Sequence, residues 1–162
     1  MMFSSAGLFL MATCVFEMAS QSTISTQELP ACDKRFPKLR TVACRKEIKT
    51  PLVKAIFSKT NIQIYNCDFE AIANTILHFN GRYRWLFPNI NVTKYLVFKE
   101  NITKTASFEN KAGQFVAKAI DEWSKDLEEI KIQKLRRVGC NFFLNEYVGN
   151  GNYGYELCCA FN

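Results

Sequence analysis

The residue types in this chain best suited to chemistry are seven cysteines, a single histidine and a few neighbouring carboxylates. Two of the cysteines, Cys158 and Cys159, are adjacent in the closing stretch CCAFN. A thiol nucleophile needs an imidazole or a comparable base nearby to lower its pKa, and His78 is the sole imidazole. His78 falls near the end of a predicted helix, where an ordinary surface histidine is expected. No Gly-x-Ser-x-Gly turn, phosphate loop or Ser-His-Asp spacing occurs. The carboxylate pairs Asp121-Glu122 and Glu128-Glu129 fall where a helix presents solvated charge, which favours that role over a glycosidase pair. In a strand, adjacent residues point to opposite faces of the sheet, so Cys158 and Cys159 cannot serve one site. The residues therefore predict no catalytic, cofactor-binding or metal-ligating set, and no enzyme activity.

Disulfide bonding is the remaining use for the cysteines. The first twenty residues, MMFSSAGLFLMATCVFEMAS, read as a signal peptide. Their apolar run from Ala6 to Phe16 is too short to span a bilayer, and small residues at Ala19, Ser20 and Ser22 suit cleavage. Loss of residues 1–20 removes Cys14 and leaves Cys32, Cys44, Cys67, Cys140, Cys158 and Cys159, an even set that predicts three disulfides in a secreted protein. Spacing alone leaves their pairing open. The sequons Asn91-Val92-Thr93 and Asn101-Ile102-Thr103 mark Asn91 and Asn101 as expected glycosylation sites.

The 162-residue length fits one domain of ordinary size, and a 48% hydrophobic content with fourteen phenylalanines is enough to build a core. We divide the chain into the signal peptide 1–20, a flexible segment 21–30 and one domain over 31–162. The net charge is +6, and it becomes one unit more positive when Glu17 leaves. Lys34, Arg35, Lys38, Arg40, Arg45, Lys46 and Lys49 concentrate that charge, as a solvated face or as a surface that attracts acidic proteins or anionic glycans. No nucleic-acid motif accompanies it, and no second segment is apolar enough to anchor the protein in a membrane.

Several elements must position these residues. Between Asn66 and Asn80, Phe69, Ile72, Ala73, Ile76 and Phe79 recur at helical spacing, with Asn66 or Asp68 as cap. Residues 82–93 read as a loop, and KYLVFKENI as a strand. From Asn110 to Ile132, Val116, Ile120, Trp123, Leu127 and Ile130 form one apolar stripe. Lys118–Glu122 and Asp121–Lys125 pairs are expected on the wet side of that helix. Pro37 and Pro51 are expected to break or start segments in the N-terminal block. The C-terminal residues read as two strands around VGNGNYG. Val138, Cys140, Phe142 and Leu144 share one face of the first strand, and Tyr153, Tyr155, Leu157, Cys159 and Phe161 one face of the second.

Five stretches taken in order resemble the CAP superfamily of secreted cysteine-rich proteins, and most closely its divergent nematode branch, the Ancylostoma-secreted-protein-related proteins. IYNCDFEAIA is similar to that branch's Y-[DN]-C-x-[LF]-E-x-x-A helix opening. KENI resembles the Gly-Glu-Asn signature, with Glu100 and Asn101 kept and Lys99 in place of the glycine. AIDEWSKDL matches at Ala119, Trp123, Asp126 and Leu127. RRVGC resembles the [KR]-[IV]-G-C strand, and CCAFN the terminal C-x-[YF] strand, with Cys159 and Phe161 in register. The matching stretches run from about residue 64 to residue 162, and residues 31–60 match poorly.

The resemblance implies an α+β fold, an α/β/α sandwich around a small antiparallel sheet. It implies pairing of Cys140 with Cys159. A separate expectation is that Cys158 faces the helix layer and meets Cys67, which would leave Cys32 to pair with Cys44. Many CAP domains hold a divalent ion between two histidines and two acids. Here no His-Asn pair exists, DLEEIKI stands where the second histidine belongs, and Glu100 alone matches an acid. The resemblance thus implies a secreted, non-enzymatic binding protein of a nematode, acting on a host or extracellular protein in an immunomodulatory manner. Lipid or sterol carriage is the alternative. Arg82, Tyr83, Arg84, Trp85, Phe87 and Tyr147 are the expected anchors of an interface.

Overall fold

Alternating apolar residues in the last two strands set the centre of the structure. The computed structural model describes residues 28–32, 43–80, 87–103, 108–145 and 152–162. Strands β3 (Arg137–Asn145) and β4 (Asn152–Phe161) run antiparallel with Cys140 opposite Cys159. Val138, Cys140, Phe142, Tyr155, Leu157, Cys159 and Phe161 all face the main core, as period-two patterning requires. β2 (Lys94–Thr103) pairs antiparallel with the other side of β4. A two-residue strand, β1 (Ile64–Tyr65), pairs parallel with the start of β3. The sheet order is β1-β3-β4-β2, so the sheet is mixed where an antiparallel one was expected. The parallel addition continues into a bond from the Asn66 N–H to the Val138 carbonyl at 2.8 Å, which aims the next helix across β3.

That helix, α2 (Cys67–Phe79), is the one helix on this face among the described residues, and Phe69, Ala71 and Ile72 pack there with Phe87 and Ala160. On the other face α1 (Lys46–Lys59), α3 (Phe108–Glu122) and α4 (Ser124–Ile132) cover the main core. The chain is therefore an α+β protein in three layers, α/β/α. Pro51 sits inside α1 rather than at a boundary. A mid-helix proline costs about 3 kcal/mol, and burial of Ile48, Leu52, Val53 and Ile56 along the same helix outweighs it.

The long C-terminal helix of the sequence reading divides at Trp123, whose φ of −82° and ψ of 5° leave the helical basin. Bonds from Trp123 N–H to Ala119 O (3.0 Å) and from Leu127 N–H to Trp123 O (2.8 Å) carry the ladder across the break. The stripe of Val116, Ile120, Trp123, Leu127 and Ile130 accordingly stays buried as one face. The expected pairs within this helix are replaced by pairs to the sheet. Lys118 reaches Glu100, and Lys94 of β2 reaches Asp126 and Glu129 at 2.6 Å each.

Among the described residues two disulfides are formed, Cys140–Cys159 within the hairpin and Cys32–Cys67 between the N-terminal segment and α2. Cys67–Cys158 and Cys32–Cys44 are not formed, and Cys44 and Cys158 are buried thiols. The reason is positional. Cys67 opens α2 at the β1 edge of the sheet, whereas Cys158 lies in β4 opposite Val97 and Asn141. Cys44 packs into the main core, on the other side of the sheet from Cys158. In the chain-entropy model, loops with separations of 35 and 19 residues stabilise by roughly 3–4 kcal/mol each.

Asn91 and Asn101 are exposed. Phe87, expected at an interface, is buried against α2. Residues 1–20, expected to be a signal peptide, residues 21–27, Lys34, Arg35, Lys38, Arg40, Arg82, Tyr83, Arg84, Trp85, Tyr147 and the expected turn at 146–151 lie outside the described residues. Among those described, no helix is long and apolar enough to cross a membrane.

Candidate functional site

Cys44, Lys49, Tyr65 and Glu70 converge where α2 begins, at the β1 edge of the sheet. Asn66 caps the helix, its side-chain oxygen accepting from Asp68 N–H (2.8 Å) and Phe69 N–H (3.2 Å). Asn80 closes it in the left-handed region with φ of 50°. Gly139 brings helix and sheet together. A Cβ there would stand 2.2 Å from the Glu70 nitrogen and 2.4 Å from the Asn66 oxygen, inside any contact that atoms tolerate. The G-C dipeptide thus works as a unit: Gly139 admits α2 on one face, and Cys140 forms the disulfide on the other.

This close approach holds Glu70 in a buried polar knot. One carboxylate oxygen accepts from the Cys44 N–H at 2.9 Å. The other accepts from the Tyr65 hydroxyl at 2.5 Å and pairs with Lys49 Nζ at 2.8 Å. Lys49 also donates to the Pro30 carbonyl (2.8 Å), lies 3.5 Å from Cys32 Sγ and sits 4.4 Å from the centre of the Tyr65 ring. The Tyr65 hydroxyl accepts from the Cys140 N–H at 3.2 Å. Lys49 is therefore not part of a basic surface, because the charge of Glu70 draws it inside. The ion pair links helices of the two outer layers, and with Cys32–Cys67 it ties residues 30–32 to the domain. Tyr65, Cys67 and Glu70 of the Y-N-C-D-F-E stretch all serve this one junction.

Protonation follows from burial. Burial, reinforced by the Glu70 carboxylate, raises the Cys44 thiol far above its ordinary range. Burial alone pushes Cys158 up to about 12. Burial and Glu70 likewise hold the Tyr65 phenol well above its usual value. All three groups are neutral at physiological pH, and neither thiol is activated. His78 packs against the Phe143 ring with centroids 4.1 Å apart, and burial lowers its pKa against the opposing charge of Glu156.

The ion site of many CAP domains does not fit these residues. Glu100 extends toward the α3 layer, where Lys118 holds it, while His78 belongs to α2 on the opposite face. Among the described residues no group of three or more histidines, cysteines or acids is arranged to hold a metal. Sequence reasoning placed Lys49 on a basic face and gave Tyr65 and Glu70 only a place in a family-like pattern, not in a shared buried junction. The available signal was an acid inside the otherwise apolar run Phe69–Ala73.

A family model described as Ancylostoma-associated secreted protein related matches residues 36–161. No curated protein and no solved structure gives a significant match. The family and the two disulfides fit an extracellular protein. With the match covering most of its length, the chain belongs to the Ancylostoma-associated secreted protein related family.

Proposed function

We propose that this is a secreted protein without catalytic activity, which works by binding an extracellular or host protein in an immunomodulatory role. The observation that carries this reading is the commitment of its reactive side chains to structure. Glu70 is enclosed by Lys49, Tyr65 and the Cys44 N–H, Glu100 is held by Lys118, and both thiols are buried and protonated. The binding surface is then the outer faces of the disulfide-tied sandwich. The edge strand β2 presents Tyr95 and Val97 there, 40% and 39% exposed. Interfaces draw on such half-exposed aromatic and aliphatic side chains. Lipid carriage is less favoured, because Phe115, Phe142 and Tyr155 pack edge-on against one another at 5.6–5.7 Å and Phe98 packs tilted on Phe115 at 5.2 Å, filling core rather than lining a cavity.

The test is a binding screen of the secreted protein against extracellular receptors, with a parallel assay on generic ester, peptide and glycoside substrates. The expected result is a saturable receptor interaction weakened by Val97→Lys, with no hydrolysis above background. Hydrolysis that survives repurification and is lost in His78→Ala would overturn the proposal, as would a lipid co-purifying in stoichiometric amount.

A further inference from the structure

The end of α4, the turn after it and the start of β3 carry Lys131, Lys134, Arg136 and Arg137, four cations within seven residues, all exposed. No acidic residue occurs from Ile130 to Asn145. The four side chains have no acidic partner among the described residues, whereas Lys49, Lys94, Lys99 and Lys118 are each paired. Glu129, the acid nearest in sequence, is already held by Lys94.

The backbone beneath these cations is well fixed. Lys134 adopts the left-handed conformation with φ of 57°, usually a glycine position. Bonds from Leu135 N–H to Ile130 O (3.3 Å) and from Lys134 N–H to Lys131 O (3.2 Å) close the helix in a Schellman turn. Leu135 then packs on the core beside buried Ile130. The N–H groups of Arg136 and Arg137 are held by the Asn162 carbonyl at 2.6 and 2.7 Å. The cations are thus displayed along a rigid path, from a helix end into an extended strand.

We infer that this turn binds a sulfated polysaccharide through Lys131, Lys134, Arg136 and Arg137. Guanidinium groups match sulfate oxygens with paired hydrogen bonds, and lysines add point charges. The four cations follow one another along a fixed stretch of backbone, with Arg136 and Arg137 projecting to opposite sides, and a flexible linear polyanion can follow such a path. A bilayer is less well matched, since the turn contains no aromatic side chain. Its one strongly exposed apolar residue is Ile132, at 73%, and isolated apolar residues are ordinary on surfaces. The site is separate from the β2 surface proposed for a protein partner, so either can fail without the other.

The test measures binding of the full secreted protein to heparin over a range of salt, for wild type and the variant Lys134→Gln/Arg136→Gln/Arg137→Gln. A second variant, Lys131→Gln/Lys134→Gln, alters the helix end alone. The control Lys46→Gln/Lys54→Gln/Lys111→Gln removes equal charge elsewhere. Wild type should bind with steep salt dependence. The triple variant should lose about tenfold or more in affinity, with the log–log salt slope flattened by about 2–3 units, through fewer released counterions. The second variant should lose part of this, and the control little. Equal loss in the control would overturn the proposal, leaving only net charge. Preference for phosphatidylserine vesicles over heparin, abolished by Ile132→Ser, would overturn it in favour of a membrane.

Discussion

Replacing Glu70 with alanine would remove the acceptor shared by Lys49, Tyr65 and the Cys44 N–H, all in the buried region where α2 begins. The Lys49 and Glu70 side chains are only 8% and 3% exposed, so solvent cannot substitute for the lost partner. Removing one member of such a pair costs about 3–5 kcal/mol, because a buried charge is left uncompensated. Total stabilities are commonly about 5–15 kcal/mol, so Glu70→Ala should come close to unfolding the domain. The double variant Lys49→Met/Glu70→Leu removes both charges and keeps side-chain volume. It leaves the Cys44 N–H without its acceptor, a cost of about 1–3 kcal/mol. The double variant should therefore be more stable than Glu70→Ala alone. Urea unfolding followed by far-ultraviolet circular dichroism would measure both. A loss below about 1 kcal/mol in Glu70→Ala, or a double variant no better than the single, would refute the assignment of the knot as a buried charge pair.

Three further outcomes follow from the same geometry. Gly139→Ala should destabilise by several kcal/mol and lower the yield of folded protein, because its Cβ would overlap the backbone of α2; near-normal thermal stability would contradict the close approach. Asn66→Ala should cost about 1 kcal/mol in the same unfolding assay through loss of the cap, with Asn66→Asp nearly neutral. The His78 imidazole should titrate below its ordinary 6.5 in an NMR pH series, because burial disfavours its charged form. Its folded pKa is depressed, so the unfolded chain takes up a proton first, and stability falls as pH drops below the unfolded value. His78→Gln should remove that part of the acid sensitivity.

The parts of the fold that were legible rest on periodicity. Alternation in β3 and β4 identified the faces of Cys140 and Cys159. Helical spacing marked the buried stripe from Val116 to Ile130, although not the break at Trp123, which keeps its ladder bonds and so leaves the apolar pattern unchanged. The misplaced features depend on contacts between distant segments. Pairing of Cys32 with Cys67 is set by where residues 28–32 return against α2, and no spacing rule encodes that return. Lys49 looked like one more cation in a basic run, yet burial is decided by Glu70, which lies twenty-one positions further along. β1 has only two residues and no pattern of its own; it exists because β3 offers an edge to Tyr65. The four cations of the α4–β3 turn were visible as letters. Their freedom from acidic partners was not.

The central claim is that the reactive residue types of this chain are committed to its fold. Differential alkylation with non-reduced peptide mapping of the purified protein tests it most directly. The account predicts Cys32–Cys67 and Cys140–Cys159 crosslinks, with Cys44 and Cys158 as thiols that resist alkylation in the native state and react after denaturation. A crosslink containing Cys158, or a Cys44 that alkylates rapidly in the folded protein, would contradict it.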